Sequence, residues 1–381
     1  MNREFVDQLH RYLSENHLRS GALVGPDPGV RFNYRFWRFL KSQLPFIPWQ
    51  DDLCYMQAQG YWVLANWKRS ASGNDRFAQL AIDCSDQMIQ VQRSDGAWDY
   101  PNPEWRNRVA TVEGIWASLG LLQTYHKTGQ AKYLDAVLRW DNFFKSKIGF
   151  QQCSTGIAVN YFANEVQAPV PNNSALALRY LARLDQAQES TENKHYFSGL
   201  RDFLETAQQS SGEVPYELSN PRMRHFQCFQ YHGFILLDLL DYYQVTGDRQ
   251  TIPIIQAIAR FLRTGITASG EVMYQCGVRH RFVNYHAAVV FAGLSQWNEN
   301  VDAIEPDNES SQAQLELIQR KLQTEQRSDG SLPHSRGDYW ILSDKRSYPR
   351  YLAMILYHSL PGTNRAIGQS CLAGKTGQLQ A

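Results

Sequence analysis

Three short stretches of this 381-residue chain gather side chains that could do chemistry. In Ser335-Arg-Gly-Asp-Tyr-Trp340, Asp338 is followed by Tyr339 and Trp340, with His334 near enough to orient it. A carboxylic acid kept neutral by apolar rings can donate a proton, so Asp338 is the first candidate for a general acid. Arg279-His280-Arg281 concentrates positive charge and predicts an anionic group on the ligand. Arg106-Asn107-Arg108 precedes an apolar helical stretch. Asn107 cannot donate a proton of that kind, so it reads as a binding residue or as the position of a replaced aspartate. Asp95 and Asp329, each in a Ser-Asp-Gly turn, read as turn formers rather than catalysts.

Composition narrows the ligand. Lys and Arg number 38 against 37 Asp and Glu, a balance that offers nucleic acid no electrostatic footprint. Cys54, Cys84, Cys153, Cys228, Cys276 and Cys371 form no C-x-x-C pair and show no ligand spacing with histidine. No G-x-x-x-x-G-K-[ST] loop occurs, so neither a metal nor a nucleotide cofactor is expected. Scattered cysteines suit a reducing cytoplasm, and the charged, amphipathic N-terminal segment has no apolar signal core. No apolar run approaches the roughly 18 residues of a membrane span. Aromatic residues make up 13% of the chain, enough rings to line a cavity as well as fill a core.

A repeat announces the elements that must hold these groups. Gln92-Arg-Ser-Asp-Gly-Ala-Trp98 returns near the other end of the chain as Gln326-Arg-Ser-Asp-Gly-Ser-Leu332. Weaker Gly-x-apolar relatives lie between them at Gly156, Gly212 and Gly270, at intervals of about 60 residues, with Gly29 as the candidate opening member. An amphipathic helix is predicted before each turn, over 76–92, 132–146, 195–209, 251–264 and 311–326. A more apolar helix follows, as over 110–128, 173–184 and 225–246. Strand-like alternation is almost absent. Six helix pairs predict an all-α (α/α)6 toroid over residues 1–362, with 363–381 a disordered tail.

In such a ring the connections from outer to inner helices meet at one end and line the default site. They carry Trp49, Tyr100, Trp105, Arg106, Arg108, Tyr161, Arg222, His225, Tyr274, Arg279, Arg281, Tyr285, His334, Tyr339, Trp340 and Tyr348. Each ring in that set could equally pack a loop. Taken together they predict an aromatic wall with scattered arginines and few acids.

Gln92-x-x-Asp95-Gly96-x-Trp98 resembles the QW motif of the squalene-hopene and oxidosqualene cyclases, helical toroids in which Gln and Trp tie neighbouring repeats together. Gln326-x-x-Asp329-Gly330 matches the first half only, with Leu332 in place of Trp. One toroid without a D-x-D-D motif is most similar to the single-domain class II terpene cyclases of meroterpenoid pathways, of the merosterolic acid synthase kind. That resemblance implies protonation of an isoprenoid chain carried on an aromatic acid, with no cofactor. Asp338 would be the acid, ring faces would stabilise the cations, and arginines would hold the head group. The expected partner is a hydrophobic small molecule with an acidic head group, transient contact with a membrane surface being allowed.

Helical toroids also host glycoside hydrolases, uronyl hydrolases and polysaccharide lyases, whose sugar sites are aromatic too. A hydrolase would need two carboxylates, which Asp99 or Glu104 with Asp338 could supply. A lyase or epimerase would use Tyr, His and Arg for proton abstraction. A non-catalytic scaffold or isoprenoid-binding protein is the third class.

Overall fold

The computed structural model describes residues 1–27, 32–44, 46–47, 52–71, 73–102, 105, 107–218, 225–304, 311–339 and 342–361. With helices numbered in chain order, six form an inner ring: α3 (Met56–Ser70), α5 (Thr111–Thr128), α7 (Pro171–Ala187), α9 (Cys228–Thr246), α11 (Asn284–Ile304) and α13 (Pro349–Ser359). Six lie outside them: α1 (Arg3–Asn16), α4 (Asp75–Gln90), α6 (Ala131–Phe143), α8 (Lys194–Ala207), α10 (Ile252–Arg263) and α12 (Gln312–Glu325). The remaining helix, α2 (Phe32–Gln43), belongs to the first connection. Sequence separates the two layers. In α3 every residue from Met56 to Trp67 is buried, as a helix enclosed on all sides requires. In α10 one stripe, with Ile254, Ile255, Ile258 and Leu262, packs inward while Arg260 and Arg263 mark the other face.

Each inner helix packs on the next, and α13 returns to α3. Each outer helix backs its inner partner, and α1 backs α13, so the first helix of the chain pairs with the last. This is the α/α toroid that the repeat predicts.

Six glycines knit the outer layer. Gly21, Gly96, Gly156, Gly212, Gly270 and Gly330 all have φ between 72° and 92°, where any other residue is strained. A Cβ on any of them would come within 2.1–3.0 Å of a carbonyl oxygen of the following outer helix, and Gly330 closes the circle on Gln8 of α1. The opening member is thus Gly21; Gly29 lies outside the described residues. A glutamine four residues earlier fixes three of these turns. The Gln92 side-chain amide donates to Gly96 O (2.8 Å) and to Ala136 O of α6 (2.9 Å). Gln208 does the same with Gly212 and Ile254, and Gln326 with Gly330 and Phe5.

Short antiparallel strands occupy the connections, which the sequence reading does not anticipate. Two hairpins, β1 (Leu18–Arg19) with β2 (Ala22–Leu23) and β3 (Phe150–Gln152) with β4 (Ile157–Val159), carry Gly21 and Gly156 in their turns. A four-stranded meander of β5 (Met273–Gln275), β6 (Val278–Val283), β7 (Ser335–Tyr339) and β8 (Leu342–Asp344) joins the fifth and sixth connections, with Phe282 opposite Arg336. Strands this short cannot display a period of two, and β6 and β7 find each other only through the tertiary fold. Among the described residues no helix is long and apolar enough to cross a membrane.

Candidate functional site

The ring has two ends. The outer-to-inner connections and the N-termini of the inner helices form the loop end, where sequence places the candidate residues. Arg350, in the first turn of α13, meets both oxygens of Asp27, Nη2 to Oδ1 at 2.8 Å and Nε to Oδ2 at 2.7 Å. Its guanidinium lies 4.1 Å over the Tyr55 ring. Tyr351 stacks on Tyr285 at 4.2 Å, His334 meets Tyr348 edge-on, and the two buried hydroxyls are engaged: Tyr285 Oη donates to Gln230 Oε1 and Tyr348 Oη to Asp344 Oδ2. Tyr100 meets Tyr55 edge-on and lies against Trp105, with Phe162 beside them and Tyr161 packed on Phe162. Arg108 divides itself between the Phe162 ring and Glu165. Glu113 of α5 is fully buried, and its Oε2 accepts from Gln57 N at the start of α3 (2.9 Å). Burial pushes its carboxyl up to about 7 against the pull of Arg350 and of the α3 amides.

The basic triplet does not converge. Extended backbone turns successive side chains to opposite faces. Along β6 Arg279 and His280 are exposed, while the Arg281 guanidinium lies 3.9 Å over the Tyr274 ring. Asn107 is exposed with φ 69°, a left-handed turn position that asparagine tolerates better than most residues. His225 Nδ1 is 2.7 Å from Glu213 Oε1. The backbone of β7 places Asp338 and Tyr339 in the meander, but their side chains, together with Trp49, Arg106, Arg222 and Trp340, lie outside the described residues.

The large cavity lies at the other end. Where the inner helices finish and short turns lead to the next outer helix, a cavity of about 1760 Å³ opens, large enough for an oligosaccharide. Eight Arg or Lys and four Asp or Glu side chains line it, so it favours an anionic ligand. On its wall Arg179 of α7 is held by two acids of α9, Nη1 to Asp238 Oδ1 at 3.1 Å and Nε to Asp241 Oδ2 at 3.0 Å. Arg183, one turn on, adds a pair to Asp241. Burial pushes the Asp238 carboxyl up, only partly opposed by Arg179. Against the same cost of burial, Arg183 and Arg179 hold Asp241 well below the usual carboxylate range. Asp241 is thus the ionised partner, and two arginines sharing it leave positive charge over.

Tyr357 of α13 stands beside this network. Arg179 Nη2 donates to its hydroxyl at 3.4 Å, and Lys68 Nζ of α3 lies 4.1 Å from its ring centroid. Lys68 has no carboxylate within ion-pair distance among the described residues. Burial alone would raise the Tyr357 phenol, but the charges of Lys68 and Arg179 outweigh it and bring the phenol below its ordinary value. The other described tyrosines whose shift is resolved all move upward, for example Tyr61, Tyr180 and Tyr285. Tyr61 and Trp116, stacked at 3.9 Å and buried, lie between this group and the loop end. Sequence reasoning missed these residues because they sit well inside helices whose periodicity marks them as core. The one available signal is charge within apolar stretches, as in Leu178-Arg179-Tyr180 and Leu237-Asp238-Leu239.

No family model and no curated protein matches this sequence. In structure the chain is similar to a cellobiose 2-epimerase from Bacillus thermoamylovorans, with a TM-score of 0.65 and 16% identity over 80% of this chain and 87% of that one. It is also similar to a family 88 glycosyl hydrolase from Bacteroides vulgatus (TM-score 0.61, 12% identity, 94% and 97% covered). A third is a family 76 alpha-mannanase from Bacteroides thetaiotaomicron (0.65, 11%, 95% and 95%). At these identities the likeness establishes the α/α toroid fold. The similar toroids are carbohydrate-active enzymes and not terpene cyclases, and this overturns the cyclase reading together with its isoprenoid partner and alkene protonation. The heptad that suggested a QW motif has a plainer cause. Its glutamine clamps one repeat turn to the next outer helix, and Gln208 and Gln326 form the same clamp without any tryptophan.

Proposed function

We propose that this protein is a carbohydrate-active enzyme that removes the proton next to the carboxylate of an acidic sugar, the opening step of either elimination or epimerisation. The observation that carries this reading is Tyr357, its phenol held between Lys68 and Arg179 on the wall of the large basic cavity. A phenolate is a competent base when neighbouring cations let it form near neutral pH. Arg183 and Lys68 are placed to take the substrate carboxylate. As Tyr357 Oη accepts the proton, the bonding pair moves into the carboxylate and those cations stabilise the enolate charge. Expulsion of a leaving group from the next carbon gives an unsaturated sugar, and return of a proton to the opposite face gives the epimer. Arg179 holds the phenol in place. Paired-carboxylate hydrolysis is less well supplied here, because Asp238 and Asp241 project from one helix and both engage Arg179. The free thiols of Cys54, Cys84, Cys153, Cys228 and Cys276 suit a cytoplasmic setting.

The test is incubation of the protein with uronic-acid oligosaccharides in D2O. Epimerisation should place deuterium at the carbon next to the carboxylate, elimination should instead give a double bond at that carbon with no hydrogen on it, and Tyr357→Phe should stop either. Glycosidic hydrolysis that proceeds without exchange and survives Tyr357→Phe would overturn the proposal.

A further inference from the structure

Four side chains from three separate segments meet at the loop end, far from the cavity just described. Glu213 follows the Gly212 turn after α8, His225 and Cys228 bracket the start of α9, and Cys276 sits in the β5–β6 turn. Donor atoms of Glu213, His225 and Cys276 all lie within 4.8 Å of one another. The Cys228 thiol borders this group rather than lying within the same span, with Sγ 3.3 Å from Cys276 Sγ and accepting from Cys276 N at 3.3 Å. Glu213 is buried, Cys276 is half-buried and His225 is exposed, so the group is fixed from below and open to solvent above.

We infer that Glu213, His225 and Cys276, completed by the Cys228 thiol once its side chain turns inward, form a binding site for a thiophilic divalent ion of the Zn2+ class. Two sulfurs, an imidazole nitrogen and a carboxylate oxygen are a donor set that zinc takes in tetrahedral geometry. The sulfur separation discriminates between two fates of the thiol pair. A disulfide needs the sulfurs about 2.05 Å apart, whereas two thiolates on one tetrahedral zinc, each about 2.3 Å from the metal, stand about 3.8 Å apart. The observed 3.3 Å is nearer the second. The hydrogen-bonded contacts within the group, from His225 to Glu213 and between the two sulfurs, mark the protons that an ion displaces: each thiol leaves as a thiolate and its proton passes to solvent. Four protein donors leave no open coordination position, so the ion is structural. It would clamp the turn after α8 and the start of α9 to the hairpin of the next repeat. Gln227, held at φ 46° immediately before Cys228, is where the backbone turns to bring that thiol into the group. Sequence alone hides the site, because its members come from three segments of neighbouring repeats.

The experiment uses the full chain, reduced and stripped of metal, titrated with Zn2+ and separately with Co2+. The expected result is one equivalent of tight binding, a thiolate-to-cobalt charge-transfer band, a rise in Tm with Zn2+, and affinity that increases with pH as protons are displaced. His225→Ala, at an exposed position, should weaken binding at least tenfold, and Cys276→Ser should abolish the cobalt band. Cys153→Ala should change neither. Absence of stoichiometric uptake by the reduced protein would overturn the inference, as would uptake indifferent to both His225→Ala and Cys276→Ser.

Discussion

The two ends of the ring both bury arginine, but they balance it differently. At the loop end Arg350 meets one carboxylate, Asp27, through both nitrogens, and the surrounding tyrosines hydrogen-bond or stack among themselves. Within that pair the charges cancel. At the other end Arg179 and Arg183 share Asp241, Asp238 leans toward its neutral form, and Lys68 has no carboxylate within ion-pair distance among the described residues. Positive charge is left over there, beside a cavity and a phenol. A buried charge that is matched one to one reads as architecture, whereas a surplus facing open space calls for a ligand to complete it.

The largest effect that would sharpen this contrast is on turnover. Tyr357→Phe should lower the rate by about 10²–10⁴-fold, the usual weight of a general base, with little change in Tm. Tyr285→Phe at the loop end should cost about 1 kcal/mol of stability, one buried hydrogen bond, and leave the rate nearly unchanged. Equal loss of activity in the two variants would erase the distinction between the ends. The rate should rise with pH as Tyr357 ionises, below the range of about 10 for an ordinary tyrosine. It should fall again when Lys68, whose own pKa is lowered by burial, loses its charge. Lys68→Met should move the rising limb to higher pH.

Stability tells the ends apart next. Arg350→Ala removes the guanidinium that meets both Asp27 oxygens and should destabilise the fold by about 3 kcal/mol. Glu113 sets a pH dependence of its own. Its folded pKa, about 7, lies above its ordinary 4.5, so the stability it contributes is complete below pH 4.5 and is lost as pH rises through 7. The loss amounts to about 3 kcal/mol. Glu113→Gln keeps an acceptor for Gln57 N and should flatten that decline, making the variant the more stable protein at pH 8 in a denaturant titration. Arg183→Ala should have the smallest effect on stability, about 1 kcal/mol, because Asp241 keeps Arg179. It should still weaken binding of an acidic sugar, measured by calorimetry.

These contrasts also mark what sequence can show. The ring was legible because its signals are local: helical periodicity, and a glycine where each turn meets the next outer helix. The loop-end aromatics were legible as a group, since they follow those glycines directly. Their engagement with one another was not, because Tyr351 on Tyr285 and Arg350 on Asp27 are contacts between different repeats, far apart in sequence. The wall of the cavity was hidden more deeply. Lys68, Arg179 and Tyr357 come from three inner helices, and in each helix they sit among residues that periodicity assigns to the core. A resemblance built on a structural heptad therefore conveyed the fold and misdirected the chemistry.

The pairing of α1 with α13 has a consequence for how the chain folds. Gln326 reaches Phe5 and Gly330 abuts Gln8, so the last turn docks on the first helix. During synthesis α1 can dock early on α3, through His10 with Asn66 and Trp62 and through Asp7 with Arg69, but its contact with α13 waits for the last inner helix, and every earlier intermediate is an open arc. The seam is the contact of greatest sequence separation and should form late, since the whole chain must be looped to reach it. A chain lacking residues 1–16 would keep the α13–α3 contact but leave the outer face of α13 and the Gly330 turn uncovered, an exposed edge that favours self-association.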